Sequence, residues 1–215
     1  ATLTVNALPS VFAVTGGGSF CAGGTGVSVG LSSSSVGVNY QLFNGGSPVG
    51  GPVAGTTLAL NFGLMTAAGT YTVVATNATA GCSRNMSGSA VVTVNSAPLV
   101  YAVTGGGAYC SGGPGVHIGV ANSNVGISYQ LYLGGTPVGS PLAGTGSSID
   151  FGFITGAGTY TVVATNTTTA CTSNMSGSAT VTTASAPTAA IGAAGPTGFC
   201  TGGSVVLNAV TGVGY

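Results

Sequence analysis

Residues 68–82 read AGTYTVVATNATAGC, and residues 157–171 read AGTYTVVATNTTTAC, an offset of 89 residues. In the first copy Tyr71, Val73 and Ala75 alternate with Thr72, Val74 and Thr76. A side-chain period of two marks a strand with one face in a core and the other in water. No apolar stripe of period 3.6 with helix caps occurs elsewhere in the chain, so the class is all-β.

The repetition spreads outward from that strand without a gap. VTGGGSFCAGGTGV (14–27) returns as VTGGGAYCSGGPGV (103–116), YQLFNGGSPVG (40–50) as YQLYLGGTPVG (129–139), and NMSGSA (85–90) at 174–179. ATLTVNALP (1–9) aligns with AVVTVNSAP (90–98), and GPTGFCTGG (195–203) looks like the opening of a third copy. The frame therefore predicts a last strand of a preceding repeat, or a donor strand, at 1–9. Repeats follow at 10–98 and 99–187, with the start of an incomplete third at 188–215. Such a chain reads as a window on a longer array, or as a subunit that its neighbours complete.

Turn signals such as NGGSP and LGGTP separate short apolar-alternating runs. The predicted strands of the first repeat are 11–15, 25–32, 37–43, 48–54, 57–63, 70–77 and 88–95, and those of the second lie 89 residues on. Val27, Val29 and Leu31 are expected to face inward, as are Leu58, Leu60 and Phe62. In the second repeat Val116, Ile118, Val120, Ile149 and Phe151 are expected inside, with His117 and Asp150 outside. Strands at this spacing predict tandem immunoglobulin-like antiparallel β-sandwich repeats of 89 residues. Tyr71 and Tyr160 are the candidate corner tyrosines of those sandwiches. The short linkers NSAP (95–98) and ASAP (184–187) favour a stiff succession of domains.

Charge narrows the function. Arg84 is the one basic residue, Asp150 the one acidic residue and His117 the one histidine among 215. Nucleic-acid binding rests on Lys and Arg, and calcium sites on several carboxylates, so both are excluded. Gly, Ser, Thr and Asn interrupt every apolar run before it reaches membrane-spanning length. The sequence opens without the basic and apolar regions of a signal peptide.

The Gly-rich stretch 14–27 is not a phosphate loop, because the chain has no Lys and a strand rather than a helix follows. It reads as a turn between two strands. Cysteines stand at 21, 82, 110, 171 and 200, without the Cys-x-x-Cys spacing of a zinc site. Disulfides of an exported protein fit them. Two connectivities are open. One pairs Cys21 with Cys82 and Cys110 with Cys171, within repeats; the other joins Cys21 to Cys171 of the next repeat. Cys200 has no partner in the frame.

Catalysis needs a constellation of groups, and none repeats. His117 aligns with Ser28, Asp150 with Asn61, and Arg84 with Ser173, which reads as drift at exposed positions. No enzyme activity and no cofactor are expected. Asn77, Asn85, Asn166 and Asn174 head Asn-x-Ser/Thr triplets and are the glycosylation candidates. Outward threonines such as Thr72 and Thr76 follow from strand propensity rather than from an ice-binding face.

With these residues in place, GPTGFCTGGSVVLNA (195–209) and the AGTYTVVATN…C ending of each repeat resemble the Ig-like and PKD-like repeats of giant Bacteroidota surface proteins. Gliding-motility adhesins and other cargo of the type IX secretion system carry such arrays. The resemblance implies an exported, surface-attached or released protein.

The leading expectation is a structural subunit of an extracellular fibre whose partner is itself, joined head to tail or by strand exchange. The uncharged sandwich edges are expected to invite pairing. The alternative is an adhesin stalk or binding module that recognises glycans or surfaces.

Overall fold

The computed structural model describes residue 3, residues 5–185 and residues 190–210. Its first repeat holds β1 Val14–Gly16, β2 Gly18–Cys21, β3 Val27–Leu31, β4 Val38–Asn44, β5 Ser47–Ala54, β6 Leu60–Met65, β7 Gly69–Asn77, β8 Ser83–Asn85 and β9 Ala90–Asn95. Its second holds β10 Val103–Gly105, β11 Gly107–Cys110, β12 Val116–Val120, β13 Ile127–Leu133, β14 Thr136–Ala143, β15 Ile149–Ile154, β16 Gly158–Asn166, β17 Thr172–Asn174 and β18 Ala179–Ala184. A hairpin of β19 Ala190–Ala193 and β20 Leu207–Val210 follows.

Each repeat is a two-sheet sandwich. One sheet runs β1-β3-β6; the other runs β2-β9-β7-β4-β5, with β8 added against β7. The second repeat has the same plan, β10-β12-β15 against β11-β18-β16-β13-β14, with β17 on β16. Among the described residues β2 pairs with β9 and β11 with β18 in parallel, and isolated parallel bridges join Ala13 to Ser87 and Ala102 to Ser176. The fold is thus a tandem of immunoglobulin-like sandwiches. The chain divides into two compact units: one gathers residues up to Pro98 and takes in Thr165–Ser173, the other holds Leu99–Ala164 and the chain from Asn174 onward.

Alternation along β7 does what the sequence predicts. Tyr71, Val73 and Ala75 are buried beside Tyr40, Leu42, Val29, Leu31 and Val92, and the second repeat builds the same core from Tyr129, Leu131, Ile118, Val120, Tyr160 and Val162. Each fully buried aliphatic side chain contributes about 1.5–3 kcal/mol through removal from water. Buried tyrosines keep a polar partner: the Tyr40 hydroxyl accepts from the Ser35 amide at 2.9 Å, and Tyr129 does the same for Asn124.

Three sequence expectations need correction. The Gly-rich stretch is not a plain turn, because β1 pairs with β3 and the chain then crosses to the other sheet as β2. Gly16, Gly17 and Gly18, at φ 88°, 81° and 131°, make that crossing. At Gly16 a Cβ would run into the Ser28 carbonyl, so glycine is required for both its φ and its close approach. Leu58 does not face inward: it is 70% exposed and β6 begins only at Leu60. In its place buried Ser34 fastens the loop, donating to the Leu58 carbonyl at 2.7 Å and accepting from the Thr56 amide at 2.9 Å.

The edges are also less inviting than composition suggests. β5 carries Pro48 and Pro52, and β14 carries Pro137 and Pro141. Proline lacks the amide that a new strand would need, which blunts these edges. A register shift between Tyr40 and Leu42 bends the β4–β5 pair further, and the Gln41 amide bridges it by donating to the Leu42 and Val49 carbonyls. Residues 3 and 5–9 lie in no strand, while residues 1, 2 and 4 of the donor-strand expectation fall outside the described residues. Residues 186–189 and 211–215, within the expected boundary and third repeat, fall outside them too.

Candidate functional site

The cysteines occupy two kinds of position. Cys21 and Cys110 end β2 and β11 and open a tight turn, in which the amides of Gly24 and Gly113 donate to the cysteine carbonyls at 2.9 Å. The amides of Ala22 and Ser111 then reach the last-strand carbonyls of Asn95 and Ala184 at 2.8 Å. We call this the head position. Cys82 and Cys171 close the loop after β7 and β16, each carbonyl accepting from the amide of Asn77 or Asn166. Gly81 and Ala170 take the left-handed conformation there, at φ 70° and 58°. This is the tail position.

Cys21 bonds to Cys171, with a Cα–Cα distance of 5.5 Å. Of the two connectivities open from spacing, the structure adopts the one linking successive repeats. The within-repeat pairing fails because parallel β2 and β9 put the head cysteine at the end of the sandwich where β9 finishes. β7 runs antiparallel to β9 and starts there, so its tail loop lies at the opposite end. Cys82, Cys110 and Cys200 carry free thiols.

The sequons fall in two environments. Asn77 is half-buried and its Oδ1 accepts from the amides of Thr79 and Ala80 at 3.0 Å; Asn166 accepts likewise from Thr168 and Thr169. Both side chains therefore shape the tail loop. Asn85 and Asn174 end β8 and β17 and are exposed. These short strands were invisible in the pattern, being three residues long with little apolar content.

The corner positions show their bonding directly. The Tyr71 hydroxyl donates to the Ala67 carbonyl at 2.9 Å and Tyr160 to Gly156 at 2.8 Å, in each case four residues back. Burial pushes the Tyr160 phenol above its ordinary value of 10.0, and Tyr109 adds to the shift. Below that ordinary value folded and unfolded chains are both protonated there, so this contribution to stability is complete. Above it the unfolded chain releases the proton while the folded one retains it, and stability falls as pH rises toward the folded value. Urea midpoints measured from pH 8 to 11 are expected to decline above about pH 10. Tyr160→Phe should flatten part of that decline.

The sequence reads His117 and Asp150 as drift at exposed positions. They are indeed about half exposed, at 52% and 53%, but His117 Nδ1 lies 2.5 Å from Asp150 Oδ2. Their counterparts Ser28 and Asn61 are hydrogen-bonded at 3.3 Å, so one cross-strand pair has been exchanged for another. The signal lay in the sequence, as two adjacent-strand positions changing together. The His117 ring also packs on Phe153, with centroids 4.0 Å apart. A shallow hollow of about 260 Å³ beside the pair is bounded by Thr104, Ser148 and Ile149. A hydrogen-bonded imidazole and carboxylate half exposed to solvent contribute little to stability. Among the described residues no three His, Cys, Asp or Glu side chains gather as a metal site. No helix among them is long and apolar enough to cross a membrane.

No protein-family model matches the chain, and no curated protein does. Solved structures similar to it include the human OSCAR ligand-binding domain, at 17% identity over 83% of this chain and 100% of that one, TM-score 0.34. Murine CEACAM1b is similar at 13% identity over 77% and 96%, TM-score 0.37. The fibronectin(III)-like modules of Clostridium thermocellum CbhA are similar at 14% identity over 80% and 95%, TM-score 0.35. The sheets described above, rather than these distant likenesses, fix the fold as tandem immunoglobulin-like sandwiches.

Proposed function

We propose that the chain is a non-enzymatic structural component of an extracellular fibre, built from immunoglobulin-like domains at 10–98 and 99–187. Residues 1–9 and 188–215 belong, in this reading, to the flanking repeats. One observation carries it: the disulfide joins the head of one repeat to the tail loop of the next, Cys21 to Cys171, instead of closing either sandwich on itself. A binding module needs its own domain stabilised, whereas a load-bearing series needs its members fastened to each other. Such a bond persists outside the reducing cytosol, which supports an exported location. The resemblance to Bacteroidota surface repeats points the same way.

Proline on β5 and β14 disfavours growth by edge-to-edge strand addition, so serial, head-to-tail assembly is the favoured geometry. A surface with one Arg, one Asp and one His has little to screen. Electron microscopy of unreduced material is therefore expected to show filaments that are unchanged between low and high salt. Trypsin, offered only Arg84, should leave them standing. Dissociation on raising the salt, or monodisperse short particles at every salt concentration, would count against the fibre. The latter result would favour an adhesin stalk.

A further inference from the structure

Strands β12 and β15 differ from their twins in the first repeat in two unlike ways. On the core side one apolar side chain stands for another: Ile118 for Val29, Val120 for Leu31, Ile149 for Leu60 and Ile154 for Met65. On the solvent side the chemistry changes. His117 stands for Ser28, Asp150 for Asn61 and Phe153 for Leu64, and Ser148 beside β15 stands for Ala59. The backbone does not change with them. His117 lies opposite Phe153 and Gly119 opposite Asp150, as Ser28 lies opposite Leu64 and Gly30 opposite Asn61. The His117–Asp150 pair adds little to stability, so folding does not account for these replacements.

Three of the four border one hollow. Across the sheet Thr104 lies opposite Gly119, and Gly119 opposite Asp150. A Cβ at Gly119 would come within 3.3 Å of the Thr104 hydroxyl; without it the space between that hydroxyl and the Asp150 carboxylate stays open. This is the hollow of about 260 Å³, bordered also by His117 and Ser148. It is smaller than the pockets of about 300–1,000 Å³ that hold drug-sized ligands, which suits a single ring. The groups that change with the repeat are acceptors. Asp150 Oδ2 bonds His117 Nδ1, and Oδ1 accepts from the Gly152 amide at 2.8 Å, so each oxygen keeps a further lone pair. The bond to Asp150 places the imidazole proton on Nδ1, which makes Nε2 the acceptor of the neutral ring. Phe153, 60% exposed, extends the ring surface of His117. The face of such a ring is electron-rich and attracts weakly positive C–H groups.

We infer that this hollow is a subsite for one neutral pyranose ring of a glycan. Ring hydroxyls donate to Asp150 and to His117 Nε2, a C–H face rests on Phe153, and the hydroxyls of Thr104 and Ser148 serve the remaining polar edge. A pyranose offers adjacent hydroxyl donors and an apolar face together, which is what these side chains complement. A sulfated or phosphorylated ligand would meet the Asp150 carboxylate, with no Lys or Arg in the second unit to offset it. Such a site goes beyond the fibre reading and belongs as well to a fibre subunit as to a stalk.

The single histidine makes a site-specific test possible, because the full chain gives one imidazole Hε1 resonance. The chain is titrated at fixed pH with neutral gluco-, galacto- and manno-oligosaccharides, followed by nuclear magnetic resonance and calorimetry. The expected result is a saturable shift of the His117 resonance with at least one of these sugars. Asp150→Asn and Phe153→Leu should each weaken binding roughly tenfold, the worth of one good contact. His117→Ser, Asp150→Asn and Phe153→Leu combined should abolish it, and circular dichroism should show the fold kept, since the first repeat carries those residues on the same register. The reciprocal graft of Ser28→His, Asn61→Asp and Leu64→Phe should create a second site and double the stoichiometry. Absence of a saturable shift with every neutral sugar would overturn the inference. So would calorimetric binding that survives the combined variant, or tighter binding of sulfated or amino sugars than of neutral ones.

Discussion

Replacing both Cys21 and Cys171 with serine is expected to lower the stability of the first compact unit by about 2–5 kcal/mol. The bond spans 150 residues of sequence, and the loop-closure entropy it withholds from the unfolded chain corresponds to about 5 kcal/mol at that length. The serines also lose the burial of Cys171, the one cysteine completely withdrawn from solvent. For a chain of this size each kcal/mol moves the thermal midpoint by roughly 2–4 °C, so a fall on the order of 10 °C is expected. Calorimetry with and without reductant checks it: reductant should reproduce the double substitution in the parent and change little in the variant. A parent that reductant leaves unmoved would show that the bond adds nothing to stability.

Tyr40→Ala is expected to cost about 3–5 kcal/mol, as large aromatic truncations in close-packed cores do. Tyr40 is completely buried, its ring fills the space between the sheets, and its hydroxyl satisfies the Ser35 amide. Tyr40→Phe separates the two contributions. It keeps the ring and leaves that amide without its partner, for a loss of about 1–3 kcal/mol. Because Tyr129 repeats the burial and the bond to Asn124, Tyr129→Ala should behave alike in the second unit. Chemical denaturation of the three variants, followed by tyrosine fluorescence or circular dichroism, gives the comparison. A drop below about 1 kcal/mol for either alanine would mean that the sandwich collapses around the gap.

Much of this architecture was legible before any coordinates. Period-two alternation exposes β7 and β16 because those strands bury one face and wet the other. The 89-residue offset carries every later assignment from one repeat to its twin. The crossing at Gly16–Gly18 was not legible, since three glycines signal a turn and a sheet-switching strand with the same letters. β8 and β17 escaped because three exposed residues have no pattern to read. At Leu58 the chemistry misled: an apolar residue was taken for core, when buried Ser34 holds that loop by hydrogen bonds instead. The disulfide needed strand direction as well as spacing. The sequence left two pairings open, and only the paths of β2, β7 and β9 choose between them.

The parallel pairing of β2 with β9 has a mechanical consequence. Gly18, Ser19, Phe20 and Cys21 lie opposite Val92, Thr93, Val94 and Asn95, and the two strands run the same way. Tension that pulls the chain entering β2 backward and the chain leaving β9 forward slides the strands along each other. Their hydrogen bonds, lying across the pull, share the force together and must fail together, whereas a hairpin peeled from its open end gives them up one at a time. A repeat built this way meets a steady pull like a lap joint and not like a zip.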